Sequence, residues 1–207
     1  LWRVHTMSTR KRRTPEEARE AILNAAETHL IAGGSARIRL QEVARDVGIS
    51  HPTLLHHIGS REALVQAVAE RAFQSIQDTV VEAIIESSTQ QAGIAPIIET
   101  VFQALRETGY GRALAWLILE NAARPQDGLS LSTMVTTAHA ARITACERDG
   151  HKVPEHRETA FAVLITTLSL FAQSFAGDIA FESAGVPNEG KAFRNWLADL
   201  LESQLES

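Results

Sequence analysis

The sequence holds a single cysteine, Cys146, among 207 residues. One thiol cannot form a disulfide within the chain, so a cross-linked scaffold is excluded and a reducing cytoplasm is the expected setting. No apolar run reads as long enough to cross a bilayer, and the first residues lack the apolar centre of a signal peptide, so no membrane partner is expected. Residues 1–6 precede Met7 and are read as lying upstream of the native start, outside the fold argument. No segment alternates apolar and polar residues as a half-buried strand does. Internal repeats and low-complexity tracts are also missing. There is no glycine-rich phosphate loop, no nucleophile elbow and no Cys/His/acid set at metal-ligand spacing. An enzyme is therefore not expected, nor a cofactor or metal.

Negative charge is in slight excess, −5 overall, which argues mildly against a nucleic-acid partner. Its distribution argues the other way. Residues 1–61 carry ten Lys or Arg against six acids, a surplus of +4, which leaves −9 for the rest of the chain. A polyanion would attract this head and repel the body, orienting the encounter. Hydrophobic residues make up 44%, enough for a packed core.

The periodic segments all read as helix. Thr14-Pro15-Glu16-Glu17 combines an N-cap, a proline in the first turn and a Glu three residues after the cap. Ile22, Ala25, Ala26, His29 and Leu30 then share one face, and Gly33-Gly34 ends the helix. A short helix reads from Leu40 to Asp46, with Leu40, Val43, Ala44 and Val47 inward. Gly48 turns the chain, and Ser50 caps a third helix, His51 to His57. Gly59 breaks again, and Ser60 caps a long helix with an inner stripe from Leu64 to Ile84. Ser88-Thr89-Gln90-Gln91 reads as a loop. Ile94 to Leu105 is amphipathic, and Leu114 to Leu119 is apolar all round, which suits a helix buried on every side. Further helices are expected over Leu131–Asp149, Glu155–Glu182 and from Glu189 onward. The last two have apolar stripes too broad for one subunit to cover, which predicts a helical dimer interface on Phe161, Leu164, Leu168, Phe193, Trp196, Leu197, Leu200 and Leu201.

Two short helices meeting at Gly48 have the form of a helix-turn-helix, whose second helix enters the major groove. The wider window is more specific. Ala21-Ile22-Leu23-Asn24-Ala25-Ala26, Gly33-Gly34, Val43-Ala44, Val47-Gly48-Ile49-Ser50, Thr53-Leu54, His57 and Ser60-Arg61-Glu62-Ala63-Leu64 follow in order. From Ala18 to Leu64 the chain resembles the TetR family of transcriptional regulators.

The resemblance implies an all-α fold of nine helices, with a three-helix DNA-binding domain and a C-terminal helical domain for ligand binding and dimerisation. The corresponding divisions are a basic arm over 1–13, the DNA-binding domain over 14–61 and the ligand and dimer domain over 62–207. It further implies that Thr53 and Arg61 contact phosphates and that His51, Pro52 and His56 lie near base edges. Arg10, Lys11, Arg12 and Arg13 would reach DNA from the arm, and Arg39 and Ser50 complete the candidate DNA-binding set. Three residues depart from the family pattern. Leu55 stands where a phosphate-binding Tyr is usual, Ile58 replaces a common Phe, and Arg39 occupies the usual Ser or Thr cap of the second helix, predicting a weak helix start.

The expected partners are operator DNA, a second copy of the chain and a small apolar effector. Cavities are mostly apolar with a few polar groups, so the ligand candidates are Phe102, Leu105, Trp116, Leu119, Met134, Phe171 and Phe175, with Glu120, Thr137 and His139 as polar anchors. Taken singly, each is more commonly core. Cys146 reads as a packing residue. Of His56 and His57, one is expected buried and one exposed. Release of DNA by the effector makes the chain a ligand-responsive regulator, with repression the expected sense. The competing reading is a helical scaffold or ligand-binding protein whose head binds DNA without sequence preference. An enzyme using the helical cavity is a third, which turnover of the ligand would reveal.

Overall fold

The computed structural model describes residues 14–119 and 130–204. The arm residues Arg10 to Arg13 and the anchor Glu120 lie outside that range. The described residues form nine α-helices, one short 3-10 turn and no strand.

The first helix, α1 (Pro15–Gly33), starts where its residues require. The Thr14 hydroxyl accepts from the Glu17 amide, and the Glu17 carboxylate accepts from the Thr14 amide at 2.8 Å. A 3-10 turn (Ser35–Arg37) leads to α2 (Leu40–Val47) and α3 (His51–Ile58). Arg39 gives α2 no side-chain cap, as its side chain predicts. Between α2 and α3, Gly48 sits at φ 72°, in the left-handed region that glycine enters at least cost. Ile22, Ala26, Leu30, Val43, Ala44, Val47, Leu54 and Ile58 are buried together at the centre of these three helices. Fully burying an Ile or Leu side chain contributes roughly 1.5–3 kcal/mol each.

Helix α4 (Arg61–Gln90) has 30 residues and is therefore roughly 45 Å long. Its first turns carry Leu64, Val65 and Val68 into the same core. Its far end packs on α5 (Ala95–Glu107) and α7 (Ser132–Asp149). The expected loop at Ser88–Gln91 is corrected, since helix continues through Gln90. There the Thr89 hydroxyl donates to the Ile85 carbonyl at 2.8 Å and Gln90 donates to Glu86 at 2.9 Å, so polar side chains support the last turn. The turn falls at Gln91, with φ 54°.

Helix α6 (Tyr110–Leu119) runs between α1, α4, α5 and α8 (His156–Ser183). It is not buried on every side. Ala113, Leu114 and Leu117 are enclosed, but Trp116, Ile118 and Leu119 stand exposed, because its neighbours cover one face.

Helix α8 packs on α5, α6, α7 and α9 (Gly190–Ser203). It corrects the expectation about apolar runs. An 18-residue window in its 28 residues reaches a mean hydropathy of 1.6, so by length and composition this helix is apolar enough to span a bilayer. Its inner face holds polar groups with partners in the protomer, although the Gln173 Oε1 is buried without one among the described residues. The Gln173 amide donates to the Gly190 carbonyl at 2.8 Å, and the buried Thr159 hydroxyl meets His139 and Arg142.

Candidate functional site

Helix α3 presents its outer face through the capping and packing already described. Leu54 and Ile58 anchor it inward. Ser50 holds its start: the Ser50 hydroxyl accepts from the Thr53 amide at 3.2 Å and lies 2.7 Å from the Thr53 hydroxyl. Pro52, Thr53 and His56 are exposed, and His51 is half-buried beside them. These residues form a continuous polar edge on a fixed helix. Neither histidine of the adjacent pair is fully buried; His56 is exposed and His57 half-buried, their rings edge to face at 5.7 Å.

Two ties brace this unit. His29 on α1 meets Asp46 on α2 at 2.8 Å. Arg19 on α1 donates to the His57 carbonyl at 3.4 Å. Arg61, expected to contact phosphate, makes bonds within the protein. Its guanidinium turns inward and donates to the Ile38 carbonyl at 3.1 Å and the Ser35 carbonyl at 2.6 Å, fastening the 3-10 turn to α4. Arg39 is exposed and pairs loosely with Glu42 at 3.4 Å. Arg45 stands further into solvent on α2, with 76% of its side chain exposed. Sequence reasoning counted Arg45 only as charge; its exposure beside α3 makes it a further candidate for phosphate contact.

The second feature is a cavity of about 330 Å³ in the body of the protein. Helix α4 contributes Val80 and Ile84, and the segment at α5 contributes Ile94, Ile97, Ile98 and Val101. Helix α7 contributes Met134, Ala138, Ala141, Arg142 and Ala145. Ala162, Val163, Thr166, Thr167 and Leu170 come from α8. Of the residues proposed from sequence, Met134 alone lines it. Phe102 and Leu105 are core, and Phe171 packs against that core. Trp116 is on the surface, against Gly34 just beyond α1, and Leu119 is 77% exposed. Phe175 lies on the outer face of α8. Thr137 and His139 are half-buried off the cavity wall. Large aromatic side chains fill space. The room here comes from alanines and threonines at helical spacing on α7 and α8, a pattern the sequence does display.

Arg142 is the exceptional member of the wall. Its guanidinium donates to the Thr159 hydroxyl at 2.9 Å, while its Nε has no hydrogen-bond partner among the described residues. Burial pushes its pKa below the usual arginine value, with the Glu158 carboxylate acting in the opposite sense. Cys146 itself is buried, as a packing residue would be.

The third feature is the outer face of α8 and α9. Phe161, Leu164, Leu168, Trp196 and Leu200 are exposed there, joined by Ile165, Phe175 and Ile179. Leu197 and Leu201, also expected at a partner face, are buried in the protomer, Leu197 to 1% exposure. Phe193 is half-buried, edge to face with Phe181 at 5.7 Å. The difference follows from α9 having two apolar sides, one of which already meets α5 and α8.

Head and body are joined through polar groups as well as through α4. Arg71 on α4 pairs with Glu27 and, at 3.3 Å, with Glu20, both on α1. Tyr110 on α6 approaches the same Glu27, and burial together with that carboxylate pushes its pKa up to about 12.

Residues 22–68 match the model of the bacterial regulatory proteins of the tetR family. The chain is 30% identical over 87 residues to the HTH-type transcriptional regulator BetI of Rhizobium meliloti, covering 42% of each protein. It thus spans less than half the length of the curated relatives it matches. Its fold is similar to that of a Mesorhizobium loti protein assigned to the TetR family, with a TM-score of 0.70, 15% identity and coverage of 94% and 97% of the two chains. It is also similar to the TetR-family regulator PfmR of Thermus thermophilus, with a TM-score of 0.58, 16% identity and coverage of 87% and 96%.

Proposed function

Starting from residues 22–68 as a TetR-family amino-terminal segment on a helical fold shared with that family, we propose that this chain is a transcription regulator that binds operator DNA as a homodimer and leaves it when a small ligand fills the body cavity. The observation that carries this reading is the exposed edge of α3, with Pro52, Thr53 and His56 outward on a capped and braced helix. Thr53 and His51 would meet the sugar-phosphate backbone and base edges, helped by Arg39, Arg45 and the arm at Arg10–Arg13. Arg61 would act indirectly, by holding the turn that positions α2. Ser50 would act in the same way, through its cap.

A single recognition helix contacts too few base pairs for an operator, so regulators of this kind bind as dimers with half-sites about 34–36 Å apart. The apolar face of α8 and α9 supplies a dimer surface, since Phe161, Leu168 and Trp196 gain by leaving water. Two such faces meeting about a twofold axis would form a four-helix contact. This also accounts for the apolarity of α8 without a bilayer.

Ligand response follows from α4. The same helix starts beside the α3 unit at Arg61 and lines the cavity at Val80 and Ile84. A ligand that wedges α4 away from α7 changes the relation between the two heads of a dimer, and so favours a state that does not fit DNA. Repression is the sense expected when such an operator overlaps a promoter.

The test is binding of purified protein to the intergenic DNA beside its gene, at low and moderate salt, with random DNA as competitor. Sequence-specific binding that weakens steeply with salt is the expected result. Equal affinity for random DNA would favour instead a ligand-binding helical protein with a non-specific head.

A further inference from the structure

We infer that the body cavity is built for a monocarboxylate with an apolar body, its carboxylate held by Arg142. The inference rests on reading this cavity as the effector site and names the class of effector it takes.

The cavity wall carries two cations, Arg142 and Arg148, and no Asp or Glu among the described residues. Arg148 is already satisfied by both oxygens of Asp149, each at 2.8 Å. Arg142 has no carboxylate within ion-pair distance among the described residues. Its one neutral hydrogen bond, to Thr159, leaves the Nε without a partner. This occurs in a body whose residues beyond Arg61 carry −9, so acids are plentiful and yet none lines this wall. Arg142 is half-buried, and holding the inner part of a guanidinium against alanine and isoleucine is unfavourable unless a counter-charge completes it. A planar carboxylate suits the guanidinium fork, because two parallel N–H donors meet its two oxygens.

The rest of the wall fixes the remainder of the ligand. Ile84, Ile97, Val101, Met134 and Leu170 offer only dispersion and apolar burial. The volume of about 330 Å³ is at the small end of ligand cavities, which run from roughly 300 to 1,000 Å³. A chain or ring system of modest size, ending in one anionic group near Thr159, fits both observations. Of the ordinary structural roles, a direct salt bridge between α7 and α8 is not made, since Glu158 of α8 acts on Arg142 only from beyond ion-pair distance. A simple Thr159 brace leaves the Arg142 Nε without a partner and its charge offset only at a distance.

The experiment is calorimetric titration of the full-length protein with three probes that share a ten-carbon chain: decanoate, decanol and decyltrimethylammonium. We expect decanoate to bind at least tenfold more tightly than decanol and the cation not to bind. In Arg142→Met, which removes charge while keeping an apolar stem, the preference for decanoate over decanol should fall to within about twofold, with decanol affinity retained or raised. Arg142→Lys should restore part of it. Equal binding of decanoate and decanol by the unmodified protein would overturn the inference without any variant. So would a decanoate preference that survives Arg142→Met, or no binding of any probe. DNA release is measured separately. Decanoate binding that depends on Arg142 but leaves the DNA complex intact would uphold the carboxylate site and overturn the effector reading.

Discussion

The head and the body of this protein solve opposite problems. In the head, nearly every polar group that organises the fold finds its partner within a few residues or on the adjacent helix. Thr14, Ser50 and Ser60 cap α1, α3 and α4, His29 meets Asp46, and Arg61 meets two carbonyls. What is left over is a polar edge facing water. In the body, the apolar groups are in surplus. Phe161, Leu168 and Ile179 face outward, and the Arg142 guanidinium sits in a largely apolar wall with no carboxylate within ion-pair distance among the described residues. The head presents a polar edge, whereas the body leaves an exposed apolar face and an apolar-walled cavity, which the proposed function assigns to a second copy and a ligand. That difference is what a DNA reader coupled to a sensor requires.

The largest expected effect breaks the body's surface. Leu168, 63% exposed on α8, lies at the centre of the proposed dimer face. Leu168→Glu would bury two like charges across a twofold axis, and operator affinity should fall on the order of a hundredfold or more with the dimer. Sedimentation equilibrium should show a folded monomer. A dimer of unchanged strength would remove α8 from the interface.

The head's edge comes next. His56→Ala should weaken operator binding by about 1–3 kcal/mol if the ring reads a base edge, and relax the sequence preference at one position of each half-site. Because His56 is exposed, thermal stability should be unchanged. A selection on randomised operators reads both effects.

A third change sharpens the contrast by acting on the head's internal bonding. Arg61→Met leaves the Ile38 and Ser35 carbonyls without their charged donor and should cost about 1.5–3 kcal/mol in urea unfolding. Arg61→Lys should recover little, since one ammonium cannot reproduce the two-point bond. An Arg61 variant with full stability and lost DNA affinity would show direct phosphate contact instead of the clamp.

The smallest effect lies in the body. The Arg194 guanidinium beside Glu99, with help from Gln103, holds the Glu99 carboxyl below its ordinary 4.5. A depressed folded pKa means that stability is present above the unfolded value and is lost as pH falls through the folded one. Glu99→Gln should therefore lower the melting temperature modestly in the neutral range, where the pair is intact, and flatten its decline below about pH 4.5. An unaltered acid decline would show that the pair contributes nothing.

The head was legible in the sequence because its determinants are local. Thr14 with Glu17, Gly48 between two short apolar stripes, and Ser50 before Pro52 each specify backbone geometry within four residues. The body was legible only as helices. Period 3.6 tells which residues face inward, but not whether the inward face meets a neighbour, a vacancy or a second subunit. Leu197 and Trp196 are adjacent in the same apolar stripe, yet one is core and the other surface. The cavity candidates followed the aromatics, and these mostly fill the core or the outer face. The Ala138, Ala141 and Ala145 stripe facing Ala162 and Thr166 was the better guide to empty space. The internal bonds of Arg61 were not legible for a related reason, because its partners, Ser35 and Ile38, become neighbours only once the chain has folded back.

The central claim is that the edge of α3 reads DNA. Its most direct test is footprinting of the purified protein on the intergenic region beside its gene, with excess random competitor. The account predicts two protected half-sites one helical turn apart, about 34–36 Å between centres, which fade together as Thr53→Ala and His56→Ala are combined. Uniform protection across all sequences, or a footprint unchanged in the double variant, would contradict it.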